Sequence, residues 1–451
     1  MGKHSSGRPR RSALSFLVRS AAALFSTSLL TSGLGFLYWA AAARFYDATI
    51  VGESATAIAA MSLLAPVAML GLGTLLIAEL PARTERRGEL LVAASGLSAV
   101  AGAVLALLAA LLLPQSFLGL PGIGSEAGAT ALFVVGVSTQ VVGLVFDQAL
   151  LSTQGAGLQL GRNTVFSVVK LAAVIGLALA LSSSTSLSVF ASWVIGNLVS
   201  FVTTVLWVAR TQPVRWSRLL PRRGVLAGRG RTAAAHHALN LALSTPYFAM
   251  PIVANVTMTS QQAGYLYATW SVAAFVFVLP IALSTALFAS GSKFTEDVVP
   301  QFRLSLRYSV LACLAATVVL LLLGQYVLQV FGREYADAGH TALVLLAVAG
   351  LGLVVKDHHV ALSRLRHRVG PEARLVWALT VLELVGATVG ALQGGIEGLA
   401  TGWLLVVGLE MLVYGPTVVA AYRGRLDSGG EPGRSASDSD ADLAGSSSMP
   451  S

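Results

Sequence analysis

The sequence predicts an all-α polytopic membrane protein with 12 transmembrane helices, arranged as two six-helix repeats, and both termini in the cytoplasm. Three observations carry this prediction: a series of long apolar stretches, an uneven distribution of basic residues between the loops, and a weak internal repeat. The composition agrees, because 55% of the residues are hydrophobic and only 11% are charged. Soluble domains are about one quarter charged, so a soluble domain is excluded.

Twelve apolar stretches, each long enough to cross a bilayer as a helix, run through the chain. They are 17–43, 52–78, 90–113, 129–152, 164–181, 187–209, 236–256, 265–290, 306–329, 341–362, 375–393 and 399–422. The predicted organisation is a basic N-terminus (1–16), an N-terminal lobe (17–209), a basic linker (210–235), a C-terminal lobe (236–423) and a tail (424–451). The tail is rich in Ser, Gly and Asp, which predicts disorder.

Lys and Arg fall almost entirely on one side of the predicted bundle. Of the 30 basic residues, 26 lie in the terminal segments and in alternate loops, and Arg44 and Arg333 lie on the other side. Lys170 and Lys356 lie within spans. Basic residues accumulate in cytoplasmic loops, so both termini are predicted to be cytoplasmic. Topology and anionic lipids then account for the net charge of +9 without a nucleic-acid partner.

The two halves of the chain resemble each other. Segment 126–132 matches segment 337–343 at an offset of 211, and Gly52 matches Gly264 at an offset of 212. Six spans per repeat give both halves the same topology, so the axis that relates them is predicted to follow the membrane normal. In transporters of this arrangement the substrate path lies between the halves.

Several segments resemble the bacterial polysaccharide flippases. Segment 331–338 (FGREYADA) is similar to their FG-x-x-Y-x-x-A element, and Gly52 with its Ala-rich span, 280–288 (PIALSTALF) and 395–400 (GIEGLA) are further similarities. The resemblance covers about 14–424 and indicates the O-antigen and capsular polysaccharide exporters. This branch belongs to the superfamily that also contains multidrug and toxin extrusion (MATE) transporters and peptidoglycan lipid flippases. The peptidoglycan branch usually has two further spans, which the sequence does not show.

The resemblance implies a flippase that moves polyprenyl-diphosphate-linked oligosaccharide to the outer leaflet of a bacterial plasma membrane by alternating access, for cell-surface polysaccharide biosynthesis. It further implies membrane lipids as surroundings, H+ or Na+ as a coupling ion, and a polymerase or glycosyltransferases as partners. The head group needs a hydrated and preferably cationic cavity, because its polar groups lose water in hydrocarbon. Two alternatives remain open: a cation-coupled multidrug exporter of the same fold, and a non-transporting scaffold of a polysaccharide assembly complex.

Ionisable residues within the spans are the first candidates for a functional site, because charges are costly at the bilayer centre. Asp147 and Lys170 lie at similar depth from the predicted ends of consecutive spans, where they can pair. Lys170 is then a candidate to meet the diphosphate while Asp147 carries a coupling proton, or the two form a structural ion pair. Glu383 and Glu410 lie at comparable depth in the last two spans. Such carboxylates either act together in ion coupling or hydrogen-bond separately to neighbouring helices.

The densest polar cluster within an apolar stretch is Lys-Asp-His-His at 356–359. Asp357 and His358 are candidates for a pH-sensitive gate, because His titrates near neutral pH. The alternative is that these side chains snorkel to the interface. Adjacent helical residues point about 100° apart, so the two histidines are not expected to share a metal ion.

Five further residues are candidates for substrate contacts. Arg44 and Arg333 are placed to hold the diphosphate on the outer side before release, or to bond neighbouring carboxylates. Arg19 lies where an anionic head group enters from the cytoplasm. Asn240 and Asn255, in the seventh span, are candidates to bind sugar hydroxyls.

The sequence offers little support for an enzyme. It contains no GxxxxGK[ST] phosphate-binding sequence and no HExxH sequence, and the outer loops are too short for a catalytic domain. The one cysteine, Cys313, excludes a disulfide within the chain and a Cys-based metal cluster. No cofactor, no metal and no direct coupling to ATP are expected.

Overall fold

The computed structural model describes residues 7–80, 87–153, 156–181, 185–211, 230–293, 298–366 and 368–425, and within these ranges the chain is helical with short connections. The helices are α1 (Gly7–Phe45), α2 (Ala48–Ala68), α3 (Leu72–Glu79), α4 (Arg87–Leu112), α5 (Gln115–Leu118), α6 (Ala127–Thr153), α7 (Ala156–Ala180), α8 (Ser186–Thr211), α9 (Gly230–Thr257), α10 (Ser260–Lys293), α11 (Val298–Gln329), α12 (Arg333–Leu365) and α13 (Val369–Tyr422). The predicted all-α fold is confirmed. Most of the predicted linker and tail lies outside the described residues.

Ten of the described helices are long and apolar enough to cross a membrane. The longest, α13, has 54 residues, but Gly394 and Gly395 have non-helical backbone angles and divide it into two helices. These two helices fold back on each other, and the Cα of Gly390 lies so close to the carbonyl of Gly398 that a Cβ would collide with it. They are the predicted eleventh and twelfth spans. The predicted seventh span is α9, which has 28 residues and is not among the ten most apolar helices.

The predicted span 52–78 is interrupted in the structure. The helix α2 ends at Ala68, and α3 begins at Leu72. Between them Leu70 and Gly71 have positive φ values of 53° and 75°. A left-handed residue cannot continue a right-handed helix, so a single helix over 52–78 was wrong at its C-terminal end.

Helices α1–α8 belong to the predicted N-terminal lobe and α9–α13 to the predicted C-terminal lobe, and the two meet where α1 packs against α10 and α2 against α9 and α10. The repeat-related Gly52 and Gly264 lie against each other in this interface. A Cβ on Gly52 would collide with the carbonyl of Ser260 and lie 2.7 Å from the backbone nitrogen of Gly264. The contact is reciprocal, because a Cβ on Gly264 would collide with the carbonyl of Ala48, and residues related by a two-fold axis are expected to touch in this way near the axis.

Side-chain hydrogen bonds join the lobes at one end of the interface, which we call the closed end. Arg44, at the end of α1, donates from Nε to the Val330 carbonyl at 2.8 Å and from Nη2 to the Gln329 carbonyl at 2.9 Å. In the same way Asn255 Nδ2 donates to the Ser116 carbonyl at 2.8 Å, which joins α9 to α5. The charge distribution predicts this end to be external.

Candidate substrate and coupling site

Three ionisable side chains from α12 and α13 meet inside the C-terminal lobe. Lys356 Nζ lies 2.6 Å from Glu383 Oε1 and 3.1 Å from Glu410 Oε1. The three residues are 4%, 0% and 0% exposed. Trp403 Nε1 donates to Glu383 Oε2 at 2.6 Å, whereas Glu410 Oε2 is buried with no hydrogen-bond partner among the described residues. One ammonium faces two carboxylates in this lysine–carboxylate cluster, so the cluster has one negative charge in excess when all three groups are ionised.

This cluster bears on two interpretations from the sequence, one about the two glutamates and one about Lys356. Glu383 and Glu410 come together through Lys356 of α12, so they do not bond to separate partners, and their joint action in ion coupling stays a prediction. The suggestion that Lys356 snorkels was wrong. It lies nine residues before Leu365, the last residue of α12, which is about 13 Å along the helix and leaves its ammonium deep in the lobe.

A cavity of about 340 Å³ lies beside the cluster, within the C-terminal lobe. Its wall combines aromatic and aliphatic side chains with polar and charged ones. The lining residues are Asn240, Leu243, Pro246, Tyr247, Trp270, Phe277, Ile281, Ser284, Thr285, Phe288, Leu353, Lys356, Asp357, Val360, Ala361, Arg364, Glu383 and Trp403. The cavity extends from the buried indoles toward the ends of α9, α10 and α12 that lie opposite the closed end.

Two charged residues of α12 give the cavity its unsatisfied polar groups. Asp357 and Arg364 are seven residues apart, which is about two helical turns, so both face the cavity. Arg364 Nη2 donates to Asn240 Oδ1 at 2.8 Å, and its buried Nε has no partner among the described residues. The carboxylate of Asp357 is half-buried at the cavity wall.

His358 lies on a different side of α12. Its Nε2 is 2.9 Å from Ser305 Oγ, its Nδ1 is 2.8 Å from the Val354 carbonyl, and its ring packs edge-on against Phe302. The structure therefore does not bring the two predicted gating residues together: Asp357 lines the cavity, and both ring nitrogens of His358 are occupied by helix packing.

The predicted pairing of Asp147 with Lys170 is wrong. Asp147 accepts two hydrogen bonds from Arg162, from Nε at 2.7 Å and from Nη2 at 2.6 Å. The reason is depth: Asp147 lies six residues before Thr153, the end of α6, and Arg162 six residues after the start of α7. Because α7 starts earlier than the predicted span, Lys170 is 14 residues into it, about 12 Å deeper than Arg162.

Lys170 is instead enclosed by aromatic rings. Its Nζ lies 3.5 Å from the ring centroid of Trp193, 4.6 Å from that of Phe166 and 5.0 Å from that of Tyr38. The residue is buried, and within the described part of the chain no carboxylate forms an ion pair with it. Ring faces attract a cation without neutralising it, so an ammonium at this position has no counter-ion in the described part of the N-terminal lobe.

The remaining candidates lie outside the cavity. Arg44 and Asn255 bond to backbone carbonyls across the closed end, so the suggested bond from Arg44 to a neighbouring carboxylate was wrong. Arg333 and Arg19 are exposed. Glu334, next to Arg333, accepts a hydrogen bond from the hydroxyl of Tyr265 at 2.8 Å.

Four residues of these sites were not among the sequence candidates: Lys356, Arg162, Arg364 and Trp403. A signal for two of them was present, because Lys356 and Arg364 are eight residues apart and therefore share one helix face with Val360 between them. Arg162 was assigned to a loop, and nothing in the sequence distinguishes Trp403 from other span tryptophans.

Comparison with known proteins identifies the fold. No protein-family model matches the chain, and no curated protein sequence matches it. A transporter of the MOP superfamily from Pyrococcus furiosus, described as having a binding pocket of reverse polarity, is similar with a TM-score of 0.64, at 15% identity over 93% of this chain and 99% of the other. The chain has the MATE transporter fold.

Two further structures with this fold represent a multidrug resistance MATE family transporter in different conformations. The outward-facing one is similar with a TM-score of 0.59, at 12% identity over 94% of this chain and 100% of the other. The inward-facing one gives a TM-score of 0.60, at 15% identity over 88% of this chain and 96% of the other. The overall similarity is nearly the same for both, so it does not favour either conformation for this chain.

Proposed function

We propose that this protein is an alternating-access flippase for polyprenyl-diphosphate-linked oligosaccharide in a bacterial plasma membrane. The observation that carries the proposal is the buried ammonium of Lys170, which has no counter-ion in the described part of the N-terminal lobe. In the same lobe, Asp147 and Arg162 form a buried ion pair that is neutral as a unit. A cation at the position of Lys170 favours an anionic substrate group such as a diphosphate.

The contacts at the closed end are those expected while the substrate enters from the cytoplasmic side. Contacts at Gly52 and Arg44 close the end predicted to be external, while the cavity of the C-terminal lobe extends toward the opposite end. A lipid-linked substrate made on the cytoplasmic leaflet, by glycosyltransferases, enters from that opposite side. After translocation it becomes available to an external polymerase.

The fold is shared with a multidrug resistance transporter, so export of organic cations is the second candidate. One observation favours it: the half-buried carboxylate of Asp357 faces an aromatic cavity. Two basic residues, Lys356 and Arg364, line the same cavity and oppose the binding of a cation.

The test is reconstitution in liposomes with a fluorescent polyprenyl-diphosphate oligosaccharide, whose outward movement is followed by chemical quenching of the outer leaflet. The wild type and Lys170→Arg are expected to move the lipid, and Lys170→Met is expected to be at least about tenfold slower, because the charge is lost while the volume is retained. Expulsion of a cationic dye along an imposed H+ or Na+ gradient, with no lipid movement, would establish the exporter. If neither probe moves, the protein is better described as a non-transporting scaffold.

A further inference from the structure

We infer that the cavity of the C-terminal lobe is a carbohydrate site, which takes a neutral, hydroxyl-rich sugar of the transported head group while the diphosphate is held elsewhere. This inference rests on the proposed function and adds to it a location for the sugar. It places the two chemically different parts of the head group on different lobes.

The charges of the cavity wall oppose an anionic ligand. Two basic side chains, Lys356 and Arg364, and two acidic ones, Asp357 and Glu383, line the cavity. Glu410 lies outside the lining but also contacts Lys356, at 3.1 Å, so the basic groups do not outnumber the acidic ones. A diphosphate would add two or more negative charges to these carboxylates, whereas a neutral ligand adds none.

The polar groups that lack partners are those that a sugar hydroxyl needs. A hydroxyl donates one hydrogen bond and accepts others, so it is best held between an acceptor and a donor. Asp357 supplies acceptor oxygens, Arg364 has a free Nε–H, and the amide of Asn240 is fixed between the cavity and Arg364 by its hydrogen bond. These three groups lie on two helices, α9 and α12, and Asp357 lies about 10 Å deeper along α12 than Arg364.

Aromatic rings form the other part of the wall. The rings of Trp270 and Trp403 lie 5.0 Å apart at an interplanar angle of 56°, and Tyr247 lies 6.1 Å from Trp270. The indole of Trp403 is held in place by its hydrogen bond to Glu383. Such rings offer rigid apolar faces for the C–H groups of a pyranose ring, while the polar end of the cavity engages the hydroxyls.

The size of the cavity limits what it takes. At about 340 Å³ it lies at the small end of the range for ligand pockets, about 300–1,000 Å³. It has room for a short terminal part of a glycan and not for a long chain. Trp39 of α1 contacts Tyr267 of α10 at 4.4 Å, so the aromatic residues around Lys170 extend to the C-terminal lobe.

The experiment measures sugar binding separately from transport. Purified protein in nanodiscs is titrated with neutral hexoses, deoxyhexoses, N-acetylhexosamines and their disaccharides, and binding is read by saturation-transfer difference NMR. The variant Asp357→Asn is expected to bind about tenfold more weakly or worse, because it loses a charged acceptor. The matched control Glu397→Gln, an exposed residue of α13, is expected to bind as the wild type does.

Asn240→Ala, on the facing helix, is the second cavity variant and decides the question if Asp357→Asn does not fold. Equal binding by the wild type and the folded cavity variant, or binding of no sugar in the panel, overturns the inference. Binding of a cationic dye that depends on Asp357, with no sugar signal, overturns it as well. Lys170→Met separates the two proposals, because this variant is expected to keep sugar binding and to lose lipid movement. If the wild type binds sugar but moves no lipid, the proposed flippase function is contradicted and the sugar site is not.

Discussion

Replacing Lys356 with Met tests whether one ammonium keeps two buried carboxylates in the C-terminal lobe. The substitution keeps the length and apolar stem of the side chain and removes its charge. Glu383 loses its contact at 2.6 Å and Glu410 its contact at 3.1 Å, and both carboxylates stay completely buried. Among the described residues, the indole hydrogen bond from Trp403 to Glu383 is the one that then remains to stabilise a negative charge.

The expected loss of stability follows from the burial. Removing one partner of a buried ion pair costs about 3–5 kcal/mol, because the remaining charge is left without compensation. With an unfolding entropy of about 2.1 cal/mol/K per residue, 1 kcal/mol corresponds to about 1 °C for a chain of 451 residues. The apparent melting temperature in detergent is therefore expected to fall by about 3–5 °C. It is measured by light scattering or with a fluorescent dye that does not react with thiols.

Two companion variants separate charge from packing. The triple variant Lys356→Met, Glu383→Gln, Glu410→Gln removes all three charges and is expected to recover most of the loss, because neutral groups are cheaper to bury than an unpaired charge. Glu410→Gln alone leaves the pair of Lys356 with Glu383 and is expected to be as stable as the wild type or more so. A triple variant as unstable as the single one would show that the loss is one of packing, and an unchanged Lys356→Met would refute the proposed role of the ammonium.

Three further predictions concern the closed end and the N-terminal lobe. Gly52→Ala is expected to separate α2 from α10 and open the closed end, seen as a longer distance between spin labels on those helices, whereas Gly408→Ala, which has open space around it, leaves the distance unchanged. Arg44→Ala removes two hydrogen bonds from a charged donor, about 1.5–3 kcal/mol, and is expected to shift the same distance distribution toward the open state by about tenfold or more. Arg162→Met leaves Asp147 buried without a partner and is expected to lower the melting temperature as Lys356→Met does, and adding Asp147→Asn is expected to restore it.

The fold followed from the sequence because apolar length and loop charge are properties of each segment alone. Depth within a helix was less predictable. The fifth span was taken to begin at residue 164, where polar residues give way to apolar ones, but the helix begins at Ala156. A side chain such as Arg162 can lie inside a helix bundle when its charge is matched by a neighbour, and hydropathy does not register that compensation.

The sequence predicted only part of the candidate site, and the reason is similar. Glu383 and Glu410 were found as unusual charges in apolar stretches, and the structure brings them together. Their counter-ion, Lys356, was grouped with its sequence neighbours, although four successive residues of a helix point in four directions. Asp357 and His358 therefore separate, one to the cavity and the other into helix packing. Which neighbour on another helix receives each side chain depends on the rotation of helices about their axes, and the apolar pattern of nearly all-apolar helices does not fix that rotation.

The distribution of charge contacts suits a protein whose lobes move as units. Among the described residues, the buried ion pairs join helices of the same lobe: Asp147 with Arg162 in the N-terminal lobe, and Lys356 with both glutamates in the C-terminal lobe. The contacts between lobes are of a different kind: apolar packing of α1 and α2 against α9 and α10, close glycine packing, ring contacts, and side chains that donate to backbone carbonyls. Breaking a buried ion pair costs about 3–5 kcal/mol, whereas a net hydrogen bond is worth about 0.5–1.5 kcal/mol, or about 1.5–3 kcal/mol with a charged donor such as Arg44. An opening of the closed end therefore separates the weaker contacts one by one and leaves the costly ones intact inside each lobe, which is the condition for rocking one rigid lobe against the other.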